Sequence, residues 1–296
     1  PRVQQESAQR GRIAFFAQHE WMLSKPIRLS LVPGIRLGYD TQYAFTFNPK
    51  LSVRIDPIKN LAIRGSYGWG FRAPDFKELY LKFENPAAGY VVAGNPQLKP
   101  EHSQSFQLGV EWLGTSWFIV RANLYRNSLE QLINTKQLDS KTSRTLQITY
   151  ENIDQALTQG AEAQLVFSYA KYLRLVLGYT YLWSEDLETK KPLLGRAAHQ
   201  ANFQLMGQLP KMGLRLLVRG NLTGTREALG DEVGDDGQLK RIGLDPFFML
   251  HARVSYTFWK RRLEVYASVN NILNEGDSRW LPIRPRTFFA GLRFQR

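Results

Sequence analysis

A two-residue rhythm runs through this chain almost from end to end, and it constrains the fold more than any other feature. Between Leu173 and Trp183 the odd positions read Leu173, Leu175, Leu177, Tyr179, Tyr181 and Trp183, whereas the even positions include Arg174, Gly178 and Thr180. The pattern returns over Phe248, Leu250, Ala252, Val254, Tyr256 and Phe258, with His251, Arg253, Ser255 and Thr257 between them. Side chains alternate faces at this period only along a β-strand, so each segment has one apolar and one polar face. The apolar runs end in aromatics and are about ten residues long, the size of a strand that crosses a membrane. The expected fold is all-β: a transmembrane antiparallel β-barrel with lipid on one face and a polar interior on the other.

Composition agrees with that reading. No run of about 18 apolar residues occurs, so no transmembrane helix is expected. A barrel with a wet interior hides its membrane character, because half of each strand is polar. The absence of cysteine rules out disulfides and thiolate chemistry. The net charge is +13, yet the Lys and Arg are scattered over many segments rather than gathered in one stripe. No nucleic-acid partner is therefore expected; lipopolysaccharide phosphates, other outer-membrane lipid or an anionic ligand suit scattered arginines better. The chain opens on Pro1 without a signal peptide. A barrel must be exported, so a mature chain or a fragment is expected.

Alternation places strands near 11–21, 27–39, 43–55, 60–70, 102–112, 115–127, 145–168, 172–184, 197–210, 213–225, 246–258, 262–272 and 284–296. Short connections (22–26, 56–59, 113–114, 169–171, 211–212, 259–261) alternate with longer ones (71–101, 128–144, 185–196, 226–245, 273–283). Short turns on one rim and long loops on the other is the outer-membrane arrangement, with the long loops outside the cell. The alternation holds only if 145–168 is one strand, unbroken at Asp154. Thirteen strands result, an odd number, whereas bacterial single-chain barrels have even counts. With a periplasmic C-terminus the chain begins in an extracellular loop, so residues 1–296 are expected to be the C-terminal portion of one larger barrel domain.

Three stretches carry a family likeness. The first is Phe71-Arg72-Ala73-Pro74, then Glu78-Leu79-Tyr80, then Gly94-Asn95-Pro96-Gln97-Leu98-Lys99-Pro100-Glu101. The second is Tyr150-Glu151-Asn152-Ile153 followed by Gln159-Gly160-Ala161-Glu162. The third is Asn270-Asn271-Ile272-Leu273-Asn274-Glu275 with the ending Arg284-Pro285-Arg286-Thr287-Phe288-Phe289-Ala290-Gly291-Leu292-Arg293-Phe294. Together they resemble the C-terminal part of a TonB-dependent outer-membrane receptor, of the haem, siderophore and cobalamin group. The resemblance implies a barrel of about 22 strands around an N-terminal plug, of which these would be the last thirteen. It also implies that the receptor binds a scarce metal complex on its outer loops and imports it with energy from the TonB complex. That complex would act through a plug and first barrel strands outside this sequence, and a surface lipoprotein could deliver the ligand. One departure is the ending Phe294-Gln295-Arg296, where such chains usually finish on an aromatic residue.

The cargo is less legible. Haem receptors of this family carry a histidine between the Phe-Arg-Ala-Pro and Asn-Pro-x-Leu boxes; here Asp75 to Gly94 contains none. Imidazole is a common haem ligand, so an iron chelate ranks before haem, and haem before cobalamin. Tyr80, Phe83, Tyr90 and Trp280 are the candidate ligand contacts, aromatic residues in the long connections; a purely packing role is the alternative for each. No catalytic residue, cofactor or metal site is expected. His19 and His199 fall on the apolar phase, His251 on the polar phase, and His102 at a strand start, with no two at metal-ligand spacing. Asp231, Glu232, Asp235 and Asp236 share one loop but lack the EF-hand spacing. On the polar phase lie Arg64, Arg121, Arg174, Arg215, Arg219, Arg253 and Arg293, which would face a plug or steer an anionic ligand. A passive porin or surface adhesin would share the belt and loops but lack a plug. A soluble all-β lectin or hydrolase is disfavoured by the absence of a nucleophile elbow or a recognisable Ser-His-Asp arrangement.

Overall fold

The computed structural model describes residues 8–24, 27–85, 90–138, 146–233, 239–258, 262–276 and 283–294. The strands are β1 (Arg12–Gln18), β2 (Trp21–Leu23), β3 (Arg28–Asp40), β4 (Ala44–Ile58) and β5 (Leu61–Arg72). A short helix, α1 (Phe76–Tyr80), precedes the hairpin of β6 (Lys82–Asn85) and β7 (Tyr90–Ala93). Then come β8 (Glu101–Thr115), β9 (Phe118–Leu138), β10 (Leu146–Tyr169), β11 (Leu173–Asp186), β12 (His199–Leu209) and β13 (Leu214–Thr223). A second hairpin, β14 (Arg226–Val233) with β15 (Leu239–Leu244), leads to β16 (Phe247–Phe258), β17 (Leu263–Asn270) and β18 (Thr287–Phe294).

One sheet runs in the order β1-β3-β4-β5-β8-β9-β10-β11-β12-β13-β16-β17-β18, each neighbour antiparallel. These are the thirteen strands expected from alternation, with β2 continuing β1 along the same edge of β3 (Gln18↔Gly34, Trp21↔Leu31). Among the described residues no pairing joins β1 to β18. Pairing registers carry one phase across the sheet: Arg64 stands opposite Gly109, Glu111 opposite Arg121, Arg121 opposite Gln164, and Gly178 opposite Asn202. A cavity of about 660 Å³ touches this polar phase on eight strands, from Ser30 of β3 to Asn202 of β12. A sheet can share one cavity over that many strands only by curling toward its polar face.

The other phase is apolar and bare. Tyr179 is 46% exposed and Trp183 41%, and Leu177, Leu216, Val254 and Leu292 are exposed beside them. The buried hydrophobic residues include few large ones, among them Leu79, Leu98, Leu157 and Val166. A water-soluble fold does not leave so large a continuous apolar surface, so lipid is the solvent that this face fits.

Three expectations need correction. The connection 128–144 is not a loop throughout, because β9 continues to Leu138 and pairs with β10 as far as Gln147. The segment 71–101 is not irregular: it holds α1 and the β6–β7 hairpin, and β7 pairs in parallel with β10 (Tyr90↔Leu146, Val92↔Ile148). The connection 226–245 is likewise a hairpin. β10 does run unbroken past Asp154. At that level Gln131 takes a positive φ of 56°, and its amide donates to Asp154 Oδ1 at 2.8 Å, closing the irregularity from the side.

Candidate ligand-binding rim

At the long-loop rim the first motif folds into a knot tied by its own polar residues. Arg72 ends β5 on the polar face, opposite Glu101 at the start of β8. Its Nε and Nη2 each donate to a Glu101 oxygen at 2.7 Å, and its Nη1 reaches both Glu78 oxygens at 3.0 and 3.1 Å. Glu101 Oε1 also accepts from the Ile133 backbone N–H at 2.8 Å. One guanidinium thus joins β5, α1 and β8, and through Glu101 it reaches β9. A planar fork suits this work because it presents paired N–H donors to a carboxylate.

The helix is set locally. Asp75 is its N-cap: Oδ1 accepts from the Lys77 and Glu78 N–H groups, while Glu78 Oε2 accepts from the Asp75 N–H at 2.8 Å. That reciprocal pair is a capping box, whose sequence signature is Asp-x-x-Glu. Leu79, 0% exposed, anchors the helix, and Gly94 lies against its backbone. A Cβ on Gly94 would sit 2.6 Å from Leu79 C and Tyr80 N, so only glycine fits. Gly94 N–H donates to Leu81 O and Asn95 N–H to Glu78 O, at 2.6 and 2.8 Å.

The second box forms a turn. Leu98 N–H donates to Asn95 O at 3.3 Å across Pro96-Gln97, a β-turn with proline at the position that fixes its φ. Asn95 Oδ1 accepts from Gln97 N–H, and its Nδ2 donates to Tyr150 O at 2.9 Å. Asn152 completes the seal. Its Oδ1 accepts from Lys99 N–H at 2.9 Å, and its Nδ2 donates to Lys99 O and Gln131 O at 3.0 and 2.7 Å. The first and second motifs are therefore each other's hydrogen-bond partners. Ala73, Pro74 and Leu98 are buried within this knot, Arg72 and Asn95 tie it by hydrogen bonds, and Pro96 stands exposed in its turn. Phe71 itself points to the opposite face, where its ring meets His102 with centroids 5.4 Å apart.

The turn between β3 and β4 packs on the same knot. Arg10 donates to Pro74 O at 2.7 Å, stands 3.6 Å from Asp40, and lies over the Phe76 and Tyr43 rings at 5.2 and 5.9 Å. Tyr43 OH donates to Leu98 O at 3.4 Å. Burial pushes the Tyr43 phenol above its ordinary value, against the opposing charge of Arg10 and with the help of Tyr80 and Asp40. Sequence reasoning missed Arg10, Asp40, Tyr43 and Phe76, since only the fold brings positions so far apart together.

The candidate contacts fall in two places. Tyr80 stacks on Phe76 within α1 (centroids 6.2 Å), and Phe83 meets Tyr90 across the β6–β7 hairpin (5.9 Å). All three belong to the element that the knot holds over the rim. Trp280 lies outside the described residues, as do Asp235 and Asp236; the side chains of Asp231 and Glu232 are also outside. Among the described residues no three His, Asp or Glu are grouped to hold a metal. His199 stays on the apolar face, 2.6 Å from Tyr179 OH, and His251 on the polar face accepts from Asn271 N–H at 3.3 Å. The third motif closes its own loop: buried Asn271, at φ 52°, donates to Glu275 O and Arg284 O and accepts from Glu275 N–H.

Comparison with known proteins agrees with this architecture. The family described as TonB dependent receptor-like, beta-barrel matches residues 1–272. An iron-regulated outer membrane virulence protein of Vibrio cholerae is 30% identical over 207 residues, 66% of this chain and 31% of the relative. The chain thus spans about a third of the length of the curated relative that it matches. Among solved structures, the ferric enterobactin receptor PfeA of Pseudomonas aeruginosa superposes with a TM-score of 0.73 at 20% identity, covering 96% of this chain and 44% of that one. The siderophore receptor PirA of Acinetobacter baumannii gives 0.74 at 18%, covering 96% and 45%. The copper transporter OprC gives 0.73 at 15%, covering 96% and 48%. Neighbours with different cargoes fit equally well, so the fold is shared more widely than the ligand. The chain belongs to the TonB-dependent receptor family of outer-membrane β-barrels, a family of transport receptors and not of enzymes.

Proposed function

We propose that this chain is the C-terminal portion of a receptor that captures a ferric siderophore on its long-loop rim and imports it with TonB-supplied energy. The observation that carries the reading is the rim knot: a helix and hairpin, fixed by Arg72, Gly94 and Asn152, that hold Tyr80, Phe83 and Tyr90 over the mouth of a polar-lined sheet. Aromatic faces beside guanidinium groups suit a flat, anionic chelate. The histidine-free stretch from Asp75 to Gly94 supports an iron chelate over haem. In this reading the long-loop rim faces outward, a plug and further strands complete the barrel, and lipopolysaccharide surrounds the rim.

The test is uptake. The whole receptor, expressed in a host that lacks its own siderophore receptors, should take up radioactive iron as one or more ferric siderophores, and deletion of TonB should abolish the uptake. Uptake that persists without TonB would make it a passive pore. Uptake confined to haem or cobalamin would overturn the cargo.

A further inference from the structure

The apolar face carries a polar strip high on β8, β9 and β10. Arg126 of β9 stands on that face, opposite Phe106 of β8 and Gln159 of β10. Among the described residues of the thirteen-strand sheet, Arg126 and Lys136 are the only Lys or Arg on the apolar phase. Lys136, higher on β9, is paired with Glu151 at 2.7 Å. Arg126 is exposed and has no carboxylate within ion-pair distance among the described residues; its Nη1 donates to Gln159 Oε1 at 3.1 Å. One register step above, Trp69 Nε1 donates to Tyr67 OH at 2.9 Å, and Tyr67 OH donates to Gln104 Oε1 at 2.8 Å. Both amide oxygens are engaged, so Gln104 and Gln159 keep their Nε2 groups as donors beside the guanidinium.

Height and chemistry restrict what meets this group. The short-turn end of the same face is marked by Trp112, Trp117, Phe118 and Phe167, whose rings pack together. From Phe118 to Arg126 the strand rises about 26 Å along its axis, or about 20 Å in height at a tilt of about 40°. The apolar band of such a barrel is about 25 Å tall, so the long Arg126 side chain reaches the headgroup level on the long-loop side. A charge left bare in lipid is costly, and a set of donors alone suits phosphate oxygens. Above Arg126 the strip continues for about 13 Å, with Ser128 opposite Gln104 and Glu130 opposite His102. Beside it β4 and β5 stop pairing above Lys50 and Gly68, and a cavity of about 150 Å³ there is bordered by Trp69, His102, Gln104, Ser128 and Glu130. Sugar hydroxyls both donate and accept, so they fit amide, hydroxyl, imidazole and carboxylate groups in turn over that length. The short headgroup of a glycerophospholipid ends before it. Glu130 sits at the sugar end of the strip, away from the guanidinium.

We propose that Arg126, Gln104 and Gln159 hold the phosphate of an outer-leaflet glycolipid against the outside of the barrel, with its sugars on the strip from Gln104 to Glu130. This rests on the reading above in one respect, that the long-loop rim faces outward. The test uses the whole receptor purified in detergent. It is mixed with lipopolysaccharide lacking its O-chain, with the same lipid after phosphatase treatment, with phosphatidylglycerol, or with inorganic phosphate. Native mass spectrometry counts what stays bound. The unmodified receptor should retain one lipopolysaccharide molecule, and R126Q should retain it about tenfold less well. K136Q, which removes a charge already paired with Glu151, should bind as the unmodified receptor does.

Undiminished binding to R126Q would overturn the site, and an equal loss in K136Q would reduce it to diffuse surface charge and overturn it as well. Phosphatidylglycerol held as tightly as lipopolysaccharide would assign any anionic lipid, and inorganic phosphate held as tightly would assign a free anion; either result refutes the glycolipid. Where R126Q fails to assemble, the phosphatase arm on the unmodified receptor decides: removal of the phosphates should weaken binding about tenfold, and unchanged binding would count against the site. No cargo enters these measurements, so failure of uptake and failure of this site are told apart.

Discussion

Arg72 and Glu101 face each other across β5 and β8 and are joined by two hydrogen bonds of 2.7 Å, one from each side of the guanidinium fork. The same guanidinium holds Glu78, which caps α1. Because Arg72 is partly exposed, each pair is discounted for solvent, and its replacement by alanine is expected to cost about 1–2 kcal/mol of local stability. That corresponds to roughly a five- to thirtyfold increase in the open population of the segment. Trypsin cleavage after Lys77 and Lys82 in the folded receptor measures it. R72K, which keeps the charge without the fork, should recover less than half of the loss. Unchanged cleavage in R72A would mean that the knot is held elsewhere.

Gly94 makes a harder demand than the ion pair, because the atoms that it touches are backbone. Side chains can rotate away from a new methyl group; Leu79 C and Tyr80 N cannot. G94A is expected to separate α1 from the hairpin and to cost about 1–3 kcal/mol locally. Hydrogen exchange should report it at Leu81 and Asn95, whose amides close this contact by donating to Lys77 O and Glu78 O. Full protection of both amides in G94A would contradict the packing.

The strand phases were legible because burial on one face imposes a strict period of two, and a register slip would turn every side chain over. The row from Leu173 to Trp183 shows this, and so does β10, whose continuity past Asp154 was deduced from the order of short and long connections. The rim was less legible. Long connections read as irregular when their elements are short: α1 has five residues and the strands of its hairpin four each. Asp75-x-x-Glu78 announced the helix, but Asn152 gave no local sign that it would bind the backbone of Lys99, 53 positions away. Motif residues read as family markers proved to be each other's partners, which explains why they identify the architecture better than the cargo.

The phase assignment has a direct spectroscopic consequence. Nitroxide labels at Leu175, Leu177 and Tyr179 should be accessible to oxygen and shielded from a water-soluble nickel chelate. Labels at Val176 and Thr180, which share the polar phase with Gln204 and Gln200, should show the reverse order or be shielded from both by protein. Nickel accessibility at all three odd positions in membranes would refute the apolar face as the lipid-facing one.

Tyr43 gives the knot a pH dependence of defined sign. Its phenol is pushed up by burial, so the fold favours the neutral form that donates to Leu98 O. A raised pKa of this kind contributes fully below the unfolded value of about 10 and is lost as pH rises through the folded value. Subtilisin nicking of the segment 73–100 should therefore accelerate above about pH 10 in the native receptor. Y43F, which has no phenol to ionise, should nick slightly faster at neutral pH and lose the alkaline rise. An identical alkaline rise in Y43F would assign the step to another group.

The candidate contacts are separable from the knot because they lie on its outward elements. Y80A and Y90A remove aromatic surface without touching Arg72, Gly94 or Asn152. Loss of one aromatic contact to a chelate is expected to cost about 1–2 kcal/mol, or roughly a five- to thirtyfold weaker dissociation constant. Quenching of intrinsic fluorescence on titration with the ferric siderophore that the receptor transports measures it. N152A serves as the comparison: it should raise protease sensitivity and lower affinity together, because it loosens the whole element. If Y80A and Y90A bind as tightly as the native receptor while N152A weakens binding, the ligand is held by other loops, and these tyrosines belong to packing alone.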